Sequence, residues 1–303
     1  MLILTRASVI REGNVSVDSA NDTPLRMQGR RLPYVALAIF GVFVFMAIFA
    51  EVLSPHSPYQ TALSKRMLPP FWMEGGSIQH LLGTDRLGRD SLSRIIMGAR
   101  VSLLAGFVAV AIAAAVGAVL GLLAGYLGRW VDAVIMRATD AALSFPLILI
   151  ALLFAVALGP SFTNLILVLA LVMWARFARL ARGETLTWKE RDFVALARVA
   201  GCSMTRILLR HIFPNVVNTL VVLATLQVGW VITVEAALSF LGAGVPPPNP
   251  SWGGLIAEGR NFVSTAWWLS FFPGLAIILL VMSINLIGDW LRDELDPKIR
   301  DSR

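Results

Sequence analysis

The sequence is short of almost everything that soluble chemistry uses. Its single cysteine, Cys202, excludes an internal disulfide and any cysteine-based metal cluster. Three histidines, His56, His80 and His211, stand far apart in the chain with no pair at helical spacing, so no metal site is expected. Of only three lysines, none follows a glycine, which excludes a G-x-x-x-x-G-K-[ST] phosphate loop. G-x-S-x-G and H-E-x-x-H are also missing, and no catalytic residues are expected. Charged residues make up 15% of the chain, against about 25% in soluble domains. The net charge of +7 does not indicate nucleic acid, because the basic residues flank apolar runs instead of forming a stripe interleaved with aromatics.

What the chain has in excess is apolar residues, 57% in all, gathered into uncharged runs. A bilayer core needs about 20 such residues as helix. Residues 33–52 form a first run, too late and too long for a cleaved signal peptide. A second covers 101–126. The 35 uncharged residues 141–175 are too long for one span and are divided at Gly159-Pro160-Ser161 into a hairpin of two helices. Residues 212–234 and 266–288 complete six predicted spans in an all-α membrane protein. Placing both termini inside puts 19 of the 26 lysines and arginines on the cytoplasmic side, so the positive-inside rule orients the chain N-in, C-in.

The expected organisation is a polar cytoplasmic tail over 1–32, a first span over 33–53, and an outer segment over 54–99. A transmembrane core follows over 100–290, with an inside loop at 183–214, and a cytoplasmic tail over 291–303. Loops as long as 54–99 and 176–211 usually carry function.

Within the inside loop, residues 191–201 read as a short amphipathic helix, with Phe193, Ala197 and Ala200 on one face and Val194 beside them. Gly201 suits the C′ position, where a positive φ is required. Ser203 then caps a second helix ending at Pro214-Asn215. Small residues such as Ala195 and Ala197 permit close approach by a partner, and equally by the chain's own inner ends.

Two strings carry a resemblance. Ala195-Leu196-Ala197-x3-Gly201 followed by His211-Ile212-Phe213-Pro214 is similar to the EAA loop, E-A-A-x3-G-x9-I-x-L-P, of ABC-importer permeases. Ala195 stands in place of its glutamate and His211 in place of its isoleucine. The longer string from Phe193 through Arg198, Ser203, Arg206 and Asn215 is closer still to the dipeptide/oligopeptide/nickel permeases. Three further segments resemble the C-type subunit of that family: His80-Leu81-Leu82-Gly83-Thr84-Asp85 with Gly88-Arg89-Asp90 and Ser93-Arg94, Glu235-Ala236-Ala237-Leu238-Ser239 with Ser251-Trp252-Gly253, and Gly288-Asp289 with Asp296-Pro297.

The resemblance implies a type I ABC-importer permease fold whose 192–213 helices form a cytoplasmic coupling element. It implies a second, B-type permease, two ATPase subunits that use ATP and magnesium, and an extracytoplasmic solute-binding protein. The chain itself would bind no cofactor, and its cargo would be di- or oligopeptides or related small solutes.

Two outer features stay open from pattern alone. Asp90 caps a short helix to Met97 that suits an interfacial position. There Asp85, Arg89, Asp90 and Arg94 either stiffen the entry to the second span or meet a binding protein. Glu235, with Ser239 and Trp252 beyond it, either faces a pathway or outer gate or reaches headgroup water. A self-contained secondary transporter is the alternative function, disfavoured by helix centres nearly free of charge.

Overall fold

The structure, a computed structural model, describes residues 32–295. The N-terminal tail and all but the start of the C-terminal tail, including Asp296 and Pro297, lie outside the described residues. The helices are α1 (Tyr34–Ile48), α2 (Ala50–Leu53), α3 (Ser91–Leu127), α4 (Arg129–Ser144), α5 (Leu147–Leu158), α6 (Phe162–Lys189), α7 (Asp192–Val199), α8 (Met204–Phe240), α9 (Trp252–Gly259) and α10 (Trp268–Leu295). Among the described residues there are no strands, only an isolated bridge between Thr84 and Asp90.

Four of these helices, α3, α6, α8 and α10, are long and apolar enough to cross a bilayer. The pair α4 and α5, bent by 93° at Phe145-Pro146, makes a fifth if counted as one broken span. Helix α1 is apolar but only 15 residues long. Valine, leucine and phenylalanine side chains stay exposed along the length of α3, including Leu104, Phe107, Val108, Val116 and Val119. Such a belt is stable against lipid and unfavourable in water.

Helix α3 organises the bundle. The expected break between an interfacial helix ending at Met97 and a span starting at 101 is not there; residues 91–127 form one helix of 37 residues, about 55 Å long. The charges that suggested the break are satisfied by tertiary partners. Arg94 meets carboxylates of two other segments, and Arg100 donates to Glu51 at 2.8 Å.

Gly117, Gly121 and Gly125 form a stripe of small residues on α3 that lets α6 lie nearly in backbone contact. A Cβ built at Gly121 would stand 2.4 Å from the Ala178 carbonyl oxygen, and one at Gly117 would stand 2.5 Å from that of Trp174. Small residues at four-residue spacing are how membrane helices gain packing where no hydrophobic effect drives them together. Helices α8 and α10 pack beside this pair, with α1 against α3 and α10. Phe177, Met173, Leu169, Ile232 and Leu280 fill the shared core.

The stretch 126–140, expected as an inside connector, is mostly helical as α4. It is tied to α6 by Arg182 to Asp132 and by Arg179 to Asp140 at 2.6 Å. The hairpin expected at 159–161 is present, with Gly159 at φ +80° and Asn164 donating to the Leu158 carbonyl.

Candidate functional sites at the two ends of the bundle

One end of α3 carries the segment 183–214. Helix α7 closes in a Schellman turn: the Gly201 N–H donates to the Arg198 carbonyl and the Cys202 N–H to that of Ala197, both at 3.0 Å, with Gly201 at φ +74°. This is the geometry expected of Gly201. Ser203 caps the following helix, its Oγ accepting from the Arg206 N–H.

That helix does not end at Pro214-Asn215. It continues as α8 to Phe240, through a wide turn at Ile207–Ile212 in which the Phe213 N–H donates to the Leu208 carbonyl. A proline cannot donate to the residue four back, and its ring crowds that carbonyl. The extra residue in the wide turn makes room for the ring and leaves the helix unbroken. Asn215 then caps locally, its Nδ2 donating to the His211 carbonyl at 2.7 Å.

Helix α7 is held on one side and bare on the other. Val194 and Ala197 are buried, and Phe193 packs between Trp188 and His211. The Arg198 guanidinium lies over the Tyr126 ring at 5.4 Å, and Lys189 Nζ donates to the Gly125 carbonyl at 2.9 Å, pinning the element to the end of α3. The opposite face exposes Ala195, Leu196 and Val199, with Leu196 at 69% and Val199 at 87%. Sequence reasoning singled out the buried face and missed Leu196 and Val199. Their spacing at i and i+3 was the available signal. Arg206 and Ser203 are exposed beyond the turn.

The other end of α3 receives residues 54–90. Asp85, Arg89 and Arg94, together with Glu258 of α9, form one ion-pair network. Arg89 Nε and Arg94 Nη1 both reach Asp85 Oδ2 at 2.6 Å, while Arg94 holds Glu258 through two nitrogens at 2.7 and 3.0 Å. Asp85 Oδ1 also accepts the Leu87 and Arg89 backbone N–H groups. Asp90 caps α3, its Oδ2 accepting from the Ser93 N–H at 2.8 Å.

All four side chains offered above as a contact surface are buried, Asp85, Arg89 and Arg94 in the ion-pair network and Asp90 against Ser93 and His80. Asp85, Arg89 and Arg94 bind the segment before α3 to α3 and α9, and little of any of the four side chains is exposed. Burial by itself would raise the Glu258 carboxyl's pKa. Hydrogen bonding and charge from Arg94, with Arg89 and Arg86 nearby, outweigh burial and hold it below the ordinary glutamate range. Glu258 was not found from the sequence, where it is one acid among nineteen acidic residues.

Glu235, Ser239 and Trp252 come together nearby. Glu235 is fully buried, accepting from Ser239 Oγ at 2.7 Å and Ser102 Oγ at 3.2 Å. It therefore neither lines an open path nor reaches headgroup water. It joins α3 to α8. Trp252 Nε1 donates to the Ile95 carbonyl at 2.9 Å, and its ring fills the space opposite Gly98, where a Cβ would stand 2.8 Å from Trp252 Cδ1. The proline tract 246–250 lines a cavity of about 290 Å³ together with Ser239, Arg94 and Glu258.

His56 and His80 are not far apart in space. Their rings lie 4.7 Å apart beside Asp90, which contradicts the expectation from their separation in the chain.

One long glycine-striped helix, a bundle of apolar helices around it and a pinned amphipathic helix at one end make up a multi-pass membrane fold. Residues 117–301 match the family described as "Binding-protein-dependent transport system inner membrane component", and residues 26–70 match "N-terminal TM domain of oligopeptide transport permease C". The chain belongs to this family of inner-membrane transport permeases. It is 45% identical over 266 residues to the dipeptide transport system permease protein DppC of Escherichia coli K12, covering 88% of this chain and 89% of that one. It is 42% identical over 261 residues to the di/tripeptide transport system permease protein DppC of Pseudomonas aeruginosa, covering 86% of each. Among solved structures, a chain of the MetNI methionine ABC transporter in an inward-facing form shares the fold. Its TM-score is 0.52 at 18% identity, covering 67% of this chain and 96% of that one.

Proposed function

We propose that this chain and a second, B-type permease together form the translocation path for di- or oligopeptides or closely related small solutes, in a bacterial plasma membrane. The substrate class is taken from the names of its relatives. In this reading the chain spans the membrane six times with both termini inside. The first span, 33–53, combines α1 and α2, and the bent α4–α5 pair supplies another. The outer segment is 54–99 and the core 100–290, with the coupling loop at 183–214 facing the cytoplasm, in keeping with the positive-inside rule.

The observation that carries the proposal is helix α7. An exposed apolar face of Leu196 and Val199 on a helix whose other face is pinned to α3 and α6 suits a groove on a partner. One ATPase subunit docks there and a second on the partner permease, and the two hydrolyse ATP with magnesium. The chain itself holds no nucleotide and no metal for that reaction. Because α7 runs through a Schellman elbow into the continuous α8, a push on it is delivered along the full length of a core helix. An extracytoplasmic binding protein supplies solute at the opposite end.

The test is uptake of a labelled dipeptide into proteoliposomes holding the complex purified from its native membrane, with ATP inside or outside the lumen as orientation requires. ATP-dependent uptake that needs the binding protein supports the reading. Uptake driven by a proton gradient and indifferent to ATP would refute it.

A further inference from the structure

Residues 54–90 bring together a donor set that the ion-pair network does not use. His80 Nδ1 lies 3.0 Å from Asp90 Oδ1, and His56 Nδ1 lies 3.8 Å from the same oxygen. One potential ligand atom from each of the three residues falls within 4.8 Å of the others. The His80 and Asp90 side chains are almost wholly buried, while the His56 side chain is 39% exposed.

Two ring nitrogens stand out. His56 Nδ1 is a buried atom with no hydrogen-bond partner, since 3.8 Å is too long for a bond to Asp90. His80 Nε2 is likewise buried without a partner. Buried polar nitrogens are ordinarily satisfied, so the unpartnered His56 Nδ1 beside the Asp90 carboxylate calls for an explanation.

We propose that His56, His80 and Asp90 form a binding site for a divalent transition-metal ion of the zinc class on the outer face of this chain. Two imidazole nitrogens and one carboxylate oxygen are a borderline donor set that zinc accepts readily, and they suit magnesium or calcium poorly. Zinc sits about 2.0–2.2 Å from nitrogen and oxygen ligands, so two atoms bound to one ion lie roughly 3.0–4.0 Å apart. The two nitrogen-to-oxygen edges already meet this span. The nitrogen-to-nitrogen edge closes by rotation of the half-exposed His56 ring.

Asp90 is already fixed for this role, because its second oxygen is held by the Ser93 N–H and hydroxyl at 2.8 and 2.7 Å. His56 is fixed through its backbone N–H, which donates to Ser93 Oγ at 3.0 Å.

Three protein ligands leave a position for water on the exposed His56 side. The ion would clamp the segment after α2 and the segment before α3 onto the first turn of α3. Those three pieces lie 24 and 10 residues apart in the chain.

The test uses the chain in its complex, purified in detergent without a polyhistidine tag. The complex is equilibrated with micromolar zinc chloride, desalted, and its metal content measured by mass spectrometry. Partner subunits contribute equally to every sample, so the difference between variants isolates this site. The expected result is one zinc more per chain in the wild type than in His56→Asn, with affinity lowered at least about tenfold in that variant. His211→Gln should retain the wild-type content. His56 is half-exposed, so its substitution does not threaten folding, and His80→Gln provides a second variant. Equal zinc in wild type, His56→Asn and His80→Gln would overturn the proposal, as would no retained zinc in any of them.

Discussion

Substituting Gly121 by alanine tests the packing that orders the whole bundle. In a free helix this change is favourable by about 0.5–1 kcal/mol, because glycine loses more backbone freedom on folding than alanine. In this bundle the added Cβ would stand 2.4 Å from the Ala178 carbonyl oxygen, 2.6 Å from Ala181 Cβ and 2.9 Å from the Arg182 nitrogen. Ordinary contact begins near 3.4 Å, so α3 and α6 must separate by about 1 Å. Two of the three obstacles are backbone atoms that no rotamer change can move. Overpacking of this kind costs about 1–3 kcal/mol, which outweighs the helix-propensity gain. Gly183 on α6 supplies the control, since a Cβ there meets nothing within 4 Å and Gly183→Ala should be neutral or slightly stabilising. The assay is the thermal unfolding midpoint of the purified complex in one detergent, supported by membrane expression levels. Gly121→Ala should fall below wild type while Gly183→Ala does not. Equal midpoints for the two variants would refute the close-approach reading of α3 and α6.

Other perturbations follow from the two ends. Gly201→Ala faces no steric obstacle, so its cost is the left-handed backbone alone, about 1–2 kcal/mol, and Gly201→Asn should cost less; ATP-dependent uptake at matched membrane levels should rank glycine, asparagine, alanine. Glu235→Ala strands the Ser102 and Ser239 hydroxyls and should destabilise by about 1–3 kcal/mol, with Glu235→Gln intermediate, as read by thermal unfolding. Glu258's folded-state pKa lies below its ordinary value of 4.5, so its contribution is full above that pH and lost as pH falls through the depressed value. The gap in unfolding midpoint between wild type and Glu258→Gln should therefore be constant at neutral pH and close on strong acidification; a gap that widened with acid would contradict the network.

The parts of this fold that were legible in the sequence are those fixed by local chemistry. Long uncharged runs marked the four long apolar helices, Gly159-Pro160-Ser161 marked the hairpin, and Gly201 marked a turn that needs positive φ. Asp90 was recognisable as a cap for the same reason. The misreadings arose where distant partners changed the meaning of a residue. The helix from Asp90 to Met97 looked separate from the span beginning at 101, yet Asp85, Glu258 and Glu51 neutralise Arg94 and Arg100 and α3 runs on. Pro214 looked like a helix end, yet the wide turn before it absorbs the ring. Glu235 looked like a group seeking water or solute, yet serine hydroxyls from α3 and α8 satisfy it inside the bundle. The approach of His56 to His80 depends on how 24 residues of irregular chain fold back, which no periodicity encodes. The glycine stripe at 117, 121 and 125 was readable from spacing alone but was not used.

The central claim is that α7 is the surface on which an ATPase sits, and the single cysteine makes it directly testable. In a Cys202→Ala background, Val199→Cys places one thiol on the exposed face of α7, at a position 87% exposed. Treating native membranes with a short thiol-to-amine cross-linker should join this chain to an ATPase subunit, with a yield that changes on adding ATP and magnesium. A chain that cross-links only to itself or to lipid-facing neighbours, while uptake remains intact, would contradict the account.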